Sequence, residues 1–150
     1  MNDIELRDYE QGDQDAVWQL HVDGLKQTNS FVEDPTLDED LNRVVDVYRE
    51  FLIATIGNEI VGMGALREVD SQTAEIKRMR VTPAQQRKGI GSQIIDRLLS
   101  SAKQLGYEKV ILDTSENQEG AQHLYEKKGF TESKRSMRGE LENIHYELDI

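Results

Sequence analysis

The residues most suited to chemistry lie in one run, Val81-Thr82-Pro83-Ala84-Gln85-Gln86-Arg87-Lys88-Gly89-Ile90-Gly91-Ser92. Two basic residues and two spaced glycines stand between a strand-like stretch and a helix-like one. Backbone N–H groups in such a loop can converge on an anion at the positive end of the helix. The string lacks G-x-x-x-x-G-K-[ST], and Gly89-Ile90-Gly91-Ser92-Gln93-Ile94 lacks the third glycine of a dinucleotide fingerprint, so nucleoside triphosphates and NAD are disfavoured. Taken alone, the loop is equally an ordinary strand-to-helix turn with solvated Arg87 and Lys88. There is no cysteine, which excludes a cysteine nucleophile, disulfides and thiolate metal sites. His21, His123 and His145 form no metal-ligand spacing, so no metal is expected, and His123 is read as an exposed helix position.

The elements around this loop follow from periodicity. Ile4, Leu6 and Tyr9 suggest a short strand, and Asp13 is a plausible N-cap for an amphipathic helix carrying Val17, Leu20 and Leu25 to about Gln27. Thr36-Leu37-Asp38-Glu39 reads as a capping box for a second helix through Leu41, Val44, Val45, Tyr48 and Leu52. Two apolar runs on either side of Gly57-Asn58-Glu59 predict a hairpin, and Thr73 to Val81 a third strand closed by Thr82-Pro83. Gly89 to Leu105 has the clearest helical face, stopped at Gly106, and Val110-Ile111-Leu112 reads as a buried strand reached by a right-handed crossover and pairing in parallel. A short helix about Ala121 to Lys127 and strands near Phe130 to Arg138 and Ile144 to Leu148 complete the chain. A length of 150 residues suits one domain, 1–150.

Gln86-Arg87-Lys88-Gly89-Ile90-Gly91 resembles the Q/R-x-x-G-x-G/A pyrophosphate loop of the GNAT superfamily of N-acetyltransferases. The resemblance extends to the preceding strand, Ala74 to Val81, and to Ala121-Gln122-His123-Leu124-Tyr125-Glu126-Lys127-Lys128-Gly129-Phe130, covering about residues 50 to 132. It implies an α/β fold, a mixed and mainly antiparallel sheet of six or seven strands flanked by about four helices. It also implies that acetyl-CoA is the cosubstrate and that a primary amine of a small molecule or peptide is the acceptor, with a homodimer allowed.

Carried over residue by residue, the resemblance implies that Gln86, Arg87, Lys88, Gly89, Ile90, Gly91 and Ser92 wrap the pyrophosphate. The backbones of Met79 and Val81 would pair with the pantetheine arm where two parallel strands splay. The family often has asparagine three residues before the alanine of its A-x-x-L-Y segment; here Gln118 holds that position and Asn117 precedes it, so Asn117 is the candidate ligand. A lysine-like amine with a pKa near 10.4 needs a base. Glu75, on a strand face expected to be shared with Lys77 and Met79, is the candidate, directly or through a water, its alternative being a structural glutamate. Val81 N–H is the candidate oxyanion donor. Tyr125 is the candidate general acid for the leaving thiolate, its alternative being a packing tyrosine beside Leu124 and Phe130. Direct transfer in a ternary complex suits a chain without cysteine. A non-catalytic acyl-CoA-binding sensor or interaction module is the alternative function.

The formal net charge is −11, unevenly divided: residues 1–70 carry −12 and residues 76–103 carry +6. The balance disfavours nucleic acid, and the basic island coincides with the strand, loop and helix of the motif. Glu33, Asp34, Asp38, Glu39 and Asp40 read either as helix-start and solubility acids or as a cation-selecting rim. Met1 to Glu5 lacks a basic and apolar leader, and no apolar run approaches the roughly 20 residues of a membrane helix, so a soluble, cytoplasmic protein without membrane contact is expected.

Overall fold

A computed structural model describes residues 3–27 and 39–150. In chain order the elements are β1 (Ile4–Asp8), α1 (Gln14–Gln27), α2 (Val44–Val47), β2 (Glu50–Ile56), β3 (Glu59–Glu68), β4 (Thr73–Val81), α3 (Ile90–Gln104), β5 (Lys109–Ser115), α4 (Glu119–Lys127), β6 (Thr131–Arg138) and β7 (Leu141–Asp149). The seven strands form one sheet in the order β1-β2-β3-β4-β5-β7-β6. Among the described strands only β4 and β5 pair in parallel, and α3 makes the crossover between them, as the strand-helix-strand pattern requires.

Both faces of the central strands are covered, which is why β2 and β3 read as nearly continuous apolar runs rather than as alternations. On one face Ile90, Ile94, Ile95 and Leu98 of α3, with Tyr125 of α4, pack on Leu52, Ala54, Val61 and Leu66. On the other, Val17 and Leu20 of α1, with Leu41, Val44 and Tyr48, pack on Phe51, Ile53, Met63 and Ala65. We refer to these as the α3 face and the α1 face.

Asp13 stands directly before α1, where an N-cap is expected, and ends a 3-10 turn, Gln11–Asp13; it accepts the Glu10 N–H at 2.8 Å and takes both ends of the Arg7 guanidinium at 2.8 and 2.9 Å. One local expectation is corrected. The second helix is far shorter than its spacing suggests: a 3-10 turn, Glu39–Asn42, precedes α2, and Tyr48 is already extended at φ −108°, ψ 141°. From Glu50 onward the chain pairs with β3, and from Leu52 also with β1, gaining two ladders that a helix would forgo. Thr36, Leu37 and Asp38 of the expected capping box lie outside the described residues, as do Glu33 and Asp34.

One irregularity in β4 sets the geometry of everything that follows. Ala65 pairs with Lys77 but Met63 pairs with Arg80, so Gly64 alone stands opposite Arg78 and Met79. The extra residue is Arg78, held in the left-handed region at φ 61°. This is a β-bulge, and it reverses the side-chain alternation beyond it. Glu75 and Lys77 therefore belong to the α1 face while Met79 packs on the α3 face. The expectation that Glu75 and Met79 share a face is corrected on that ground.

Candidate active site

The parallel pairing of β4 with β5 spans only Thr73–Glu75 against Lys109–Ile111. Beyond Glu75 the two strands part, because β5 stays in register with β7 along its whole length, Lys109 to Ser115. The last six residues of β4 thus have a neighbour strand on one side only. Thr82 N–H bonds the Val61 carbonyl at 2.8 Å, so strand alternation turns Arg80 and Thr82 toward β3 and points the N–H and C=O of Met79 and Val81 into the gap. Two side chains serve these gap carbonyls in place of a strand. Arg80 Nη1 donates to Met79 O at 2.8 Å, and Gln86 Nε2 donates to Val81 O at 3.0 Å.

After β4, Pro83–Gln85 make a 3-10 turn and the loop enters α3. Arg87 at φ 66° and Gly89 at φ 86° are both left-handed, the alternating geometry that turns successive N–H groups to one concave side. Gly89 is also the N-cap of α3 and supplies no capping side chain, so the first-turn donors of the helix are left for another acceptor. At Gly91 a Cβ would stand 3.2 Å from Leu124 Cδ2, so its bare backbone lets α4 approach α3 closely.

The gap, the loop and the start of α4 enclose a cleft of about 420 Å³. Met79, Val81, Gln86, Arg87, Gly89, Ile90, Gly91, Ser92, Asn117 and Tyr125 all line it. Lys88 does not. Its Nζ donates to Gln85 Oε1 at 3.2 Å, and it borders a separate depression of about 290 Å³ with Ile4, Ile56 and Ile90. Glu75 is also outside the cleft lining; it is ion-paired with Arg67 across β3 and β4, its side chain 14% exposed. Asn117 accepts a hydrogen bond from Ser115 Oγ at 2.7 Å, and Ser115 Oγ in turn accepts one from Gln118 Nε2 at 3.0 Å, which orders the turn into α4.

Tyr125 is 5% exposed, with Phe130 and Tyr146 rings 6.1 and 6.2 Å away, centre to centre. Burial pushes its hydroxyl up to about 12; the Arg80 cation opposes that rise and Asp113 adds to it. Both readings of this residue thus meet in one place, since the packed ring also borders the cleft. His123 is exposed on α4.

Of the acidic group expected before β2, Asp40 points inward. Arg78 Nε donates to Asp40 Oδ2 at 2.9 Å, Arg78 Nη2 donates to Oδ1, and the Tyr48 hydroxyl donates to Oδ2. Burial acts to raise the Asp40 carboxyl, but the bonds from Arg78 and Tyr48 outweigh it and hold the group below the usual carboxylate range. The same burial, with Asp40 alongside, pushes the Tyr48 hydroxyl up. A rim role for Asp40 is corrected accordingly.

Sequence reasoning missed several lining residues: Gly24 of α1, Arg80, and Gln118 to Ala121 with Leu124. Ala121 and Leu124 belong to the A-x-x-L-Y segment and Gln118 to Gly120 adjoin it, so this group could have been included by extension. Gly24 and Arg80 could not, because Arg80 faces α1 only through the bulge. Among the described residues no group of three or more His, Asp or Glu side chains is placed to hold a metal, and no helix is long and apolar enough to cross a membrane.

The model of the acetyltransferase (GNAT) family matches residues 14–130. The chain belongs to that family. It is 39% identical over 82 residues to the uncharacterized N-acetyltransferase YsnE of Bacillus subtilis (strain 168), a match covering 53% of this chain and 54% of YsnE, about half of that relative's length. An acetyltransferase of the GNAT family from Staphylococcus aureus Mu50 superposes with a TM-score of 0.89 at 21% identity, over 98% of this chain and 99% of that one. The Salmonella typhimurium protein yncA, solved with its cofactor acetyl-CoA, superposes with a TM-score of 0.77 at 18% identity, over 98% and 94% of the two chains. At these identities the structural likenesses speak to the fold; the mixed seven-stranded sheet and four helices of the described residues agree with the six or seven strands and about four helices that the resemblance implies.

Proposed function

We propose that this chain transfers an acetyl group from acetyl-CoA to a primary amine of a small molecule or protein, by direct attack in a ternary complex. One observation carries the reading. The left-handed Arg87 and Gly89 loop, the open edge of β4 and Tyr125 all border a single cleft. A concave set of backbone donors at a helix start suits a pyrophosphate. The Met79 and Val81 backbone, which faces no neighbouring strand on the gap side, suits an extended amide chain. The solved yncA structure with acetyl-CoA supports the same ligand class.

In this reading acetyl-CoA supplies the activated thioester. Gln86, Arg87, Gly89, Ile90, Gly91 and Ser92 hold its pyrophosphate, with Lys88 adding charge from the outer side of the loop and Asn117 closing the far wall. The Met79 and Val81 backbones align the arm along the gap. The Val81 N–H, turned into the gap, is positioned to receive the negative charge that develops on a carbonyl oxygen under attack. Glu75 acts on the acceptor amine through a relaying water, because its carboxylate is held by Arg67 and does not line the cleft. Tyr125 keeps its proton at neutral pH and holds it for the departing sulfur. A hydroxyl raised by burial is a reluctant donor, and the Arg80 cation offsets part of that reluctance.

The test is thiol release from acetyl-CoA across a panel of amines, run beside Tyr125→Phe and Glu75→Gln, with CoA-dependent melting shifts as the binding control. Acceptor-dependent release supports the reading. CoA binding without release across a broad panel favours an acyl-CoA sensor, and no melting shift with CoA removes the cleft assignment.

A further inference from the structure

We infer that Asp40 is a positioning residue for the acetyl-CoA arm: it clamps Arg78 and so fixes the β4 bulge that turns Met79 and Val81 into the gap. The inference rests on the cleft assignment proposed above.

The bulge has no local cause in the sequence. Lys77-Arg78-Met79-Arg80 contains no glycine, yet Arg78 sits at φ 61°, a conformation that an L side chain in a strand resists. A non-glycine residue persists there only where its surroundings over-determine it. Among the described residues, Asp40 and Tyr48 form part of those surroundings. Asp40 meets the guanidinium through two bonds, the fork geometry that fixes both direction and distance. The Arg78 and Asp40 side chains are 11% and 18% exposed, so solvent screens the pair weakly. Tyr48 bonds the same carboxylate and is wedged edge-on against Phe51, and Leu41 beside Asp40 is 2% exposed, so the clamp is anchored in the α1-face core.

What the clamp controls follows from strand parity. With the bulge, the backbones of Met79 and Val81 face the gap and that of Arg80 faces β3. Without it, Lys77 would be followed in regular register by Arg78 opposite Gly64 and Met79 opposite Met63. The gap-facing backbones would then be those of Arg78 and Arg80, and every side chain from Met79 onward would change face. Asp40 bonds Arg78 and Tyr48, neither of which lines the cleft, so its influence on binding runs through Arg78.

Removing one member of a buried pair also strains folding, so the test needs a rescue. CoA affinity by calorimetry, KM and kcat for acetyl-CoA, and melting temperature are measured on the full chain for Asp40→Asn, for Asp40→Asn combined with Arg78→Gly, and for Tyr48→Phe. Asp40→Asn is expected to weaken CoA binding and raise the acetyl-CoA KM about tenfold, and to lower kcat at saturation as well, because the same bulge turns the Val81 N–H toward the reacting carbonyl. Glycine occupies left-handed φ without a clamp, so the added Arg78→Gly should recover at least threefold of the lost affinity even if the melting temperature stays low. Tyr48→Phe leaves the fork intact and should cost about two- to threefold in affinity. A folded Asp40→Asn variant with wild-type CoA affinity, or a double variant with no recovery, would overturn the clamp. Failure of the wild type to bind CoA would instead overturn the cleft assignment, and the clamp's proposed purpose with it.

Discussion

The Gln86 side-chain amide donates to the Val81 carbonyl at 3.0 Å, tying the loop that enters α3 back onto the open end of β4. The residue that begins the anion-binding loop and the residue whose backbone faces the gap are thus held as one unit. Replacing Gln86 with leucine removes that tie while keeping the bulk of the side chain. A hydrogen bond of this kind contributes about 0.5–1.5 kcal/mol, so CoA affinity should fall by roughly two- to tenfold. Titration calorimetry measures it, and the thermal stability of the free protein should barely change because Gln86 is exposed.

Gly89 and Gly91 should fail in different ways. At Gly89, φ 86° penalises any side chain by about 1–2 kcal/mol, although open space surrounds the position. Gly89→Ala is therefore expected to lower stability by that amount and to shrink the melting shift given by CoA. At Gly91 the obstacle is Leu124 at 3.2 Å. Gly91→Val should push α4 away from α3 and weaken both CoA binding and turnover, whereas pairing it with Leu124→Ala should recover part of the loss.

Tyr125→Phe separates packing from proton transfer. The ring contacts with Phe130 and Tyr146 survive, so the melting temperature near neutral pH should stay close to wild type, and so should CoA affinity. If the hydroxyl protonates the leaving sulfur, kcat should fall by about 10²–10⁴. Linkage gives a second readout. The folded-state hydroxyl titrates at about 12 and an unfolded tyrosine near 10. The unfolded chain therefore loses its proton first, and stability drops as pH rises from about 10 to about 12. Melting curves across that range should fall less steeply for the phenylalanine variant.

Asp13 governs the acid side. The hydrogen bonds from Arg7 hold its carboxyl below the ordinary carboxylate range, against the opposing effect of burial. A depressed folded-state value contributes stability that is present above the unfolded value near 3.9 and is lost as pH falls through the folded one. Asp13→Asn should cost about 1.5–3 kcal/mol at neutral pH, the range for hydrogen bonds to charged groups. It should also flatten the loss of stability below pH 4 in urea unfolding.

Much of this architecture is local enough to be read from the chain. The Gly57-Asn58 hairpin, β4 up to Pro83, the α3 face from Ile90 to Leu98 and the Gly106 stop follow from turn chemistry and periodicity. The cleft loop was legible for the same reason, since its glycines and basic residues are contiguous. The second helix was misjudged because Leu41, Val44 and Tyr48 do face the core, while Val45, at the adjacent position, is 84% exposed and β pairing takes over from Glu50. Local spacing cannot weigh a helix against two strands that lie elsewhere in the chain.

Sequence by itself therefore determined the family, the sheet-and-helix order and the anion loop, all of which depend on neighbours a few residues apart. Tertiary structure alone decided which way β4 faces. The left-handed turn at Arg78 is stabilised by Asp40, 38 residues earlier. No propensity of Lys77-Arg78-Met79-Arg80 favours it, because a buried ion pair between distant residues acts only after the fold has brought them together. That pair sets the parity of Met79, Arg80 and Val81. Through parity it also decides which backbone groups stand in the gap and which side chain meets α1.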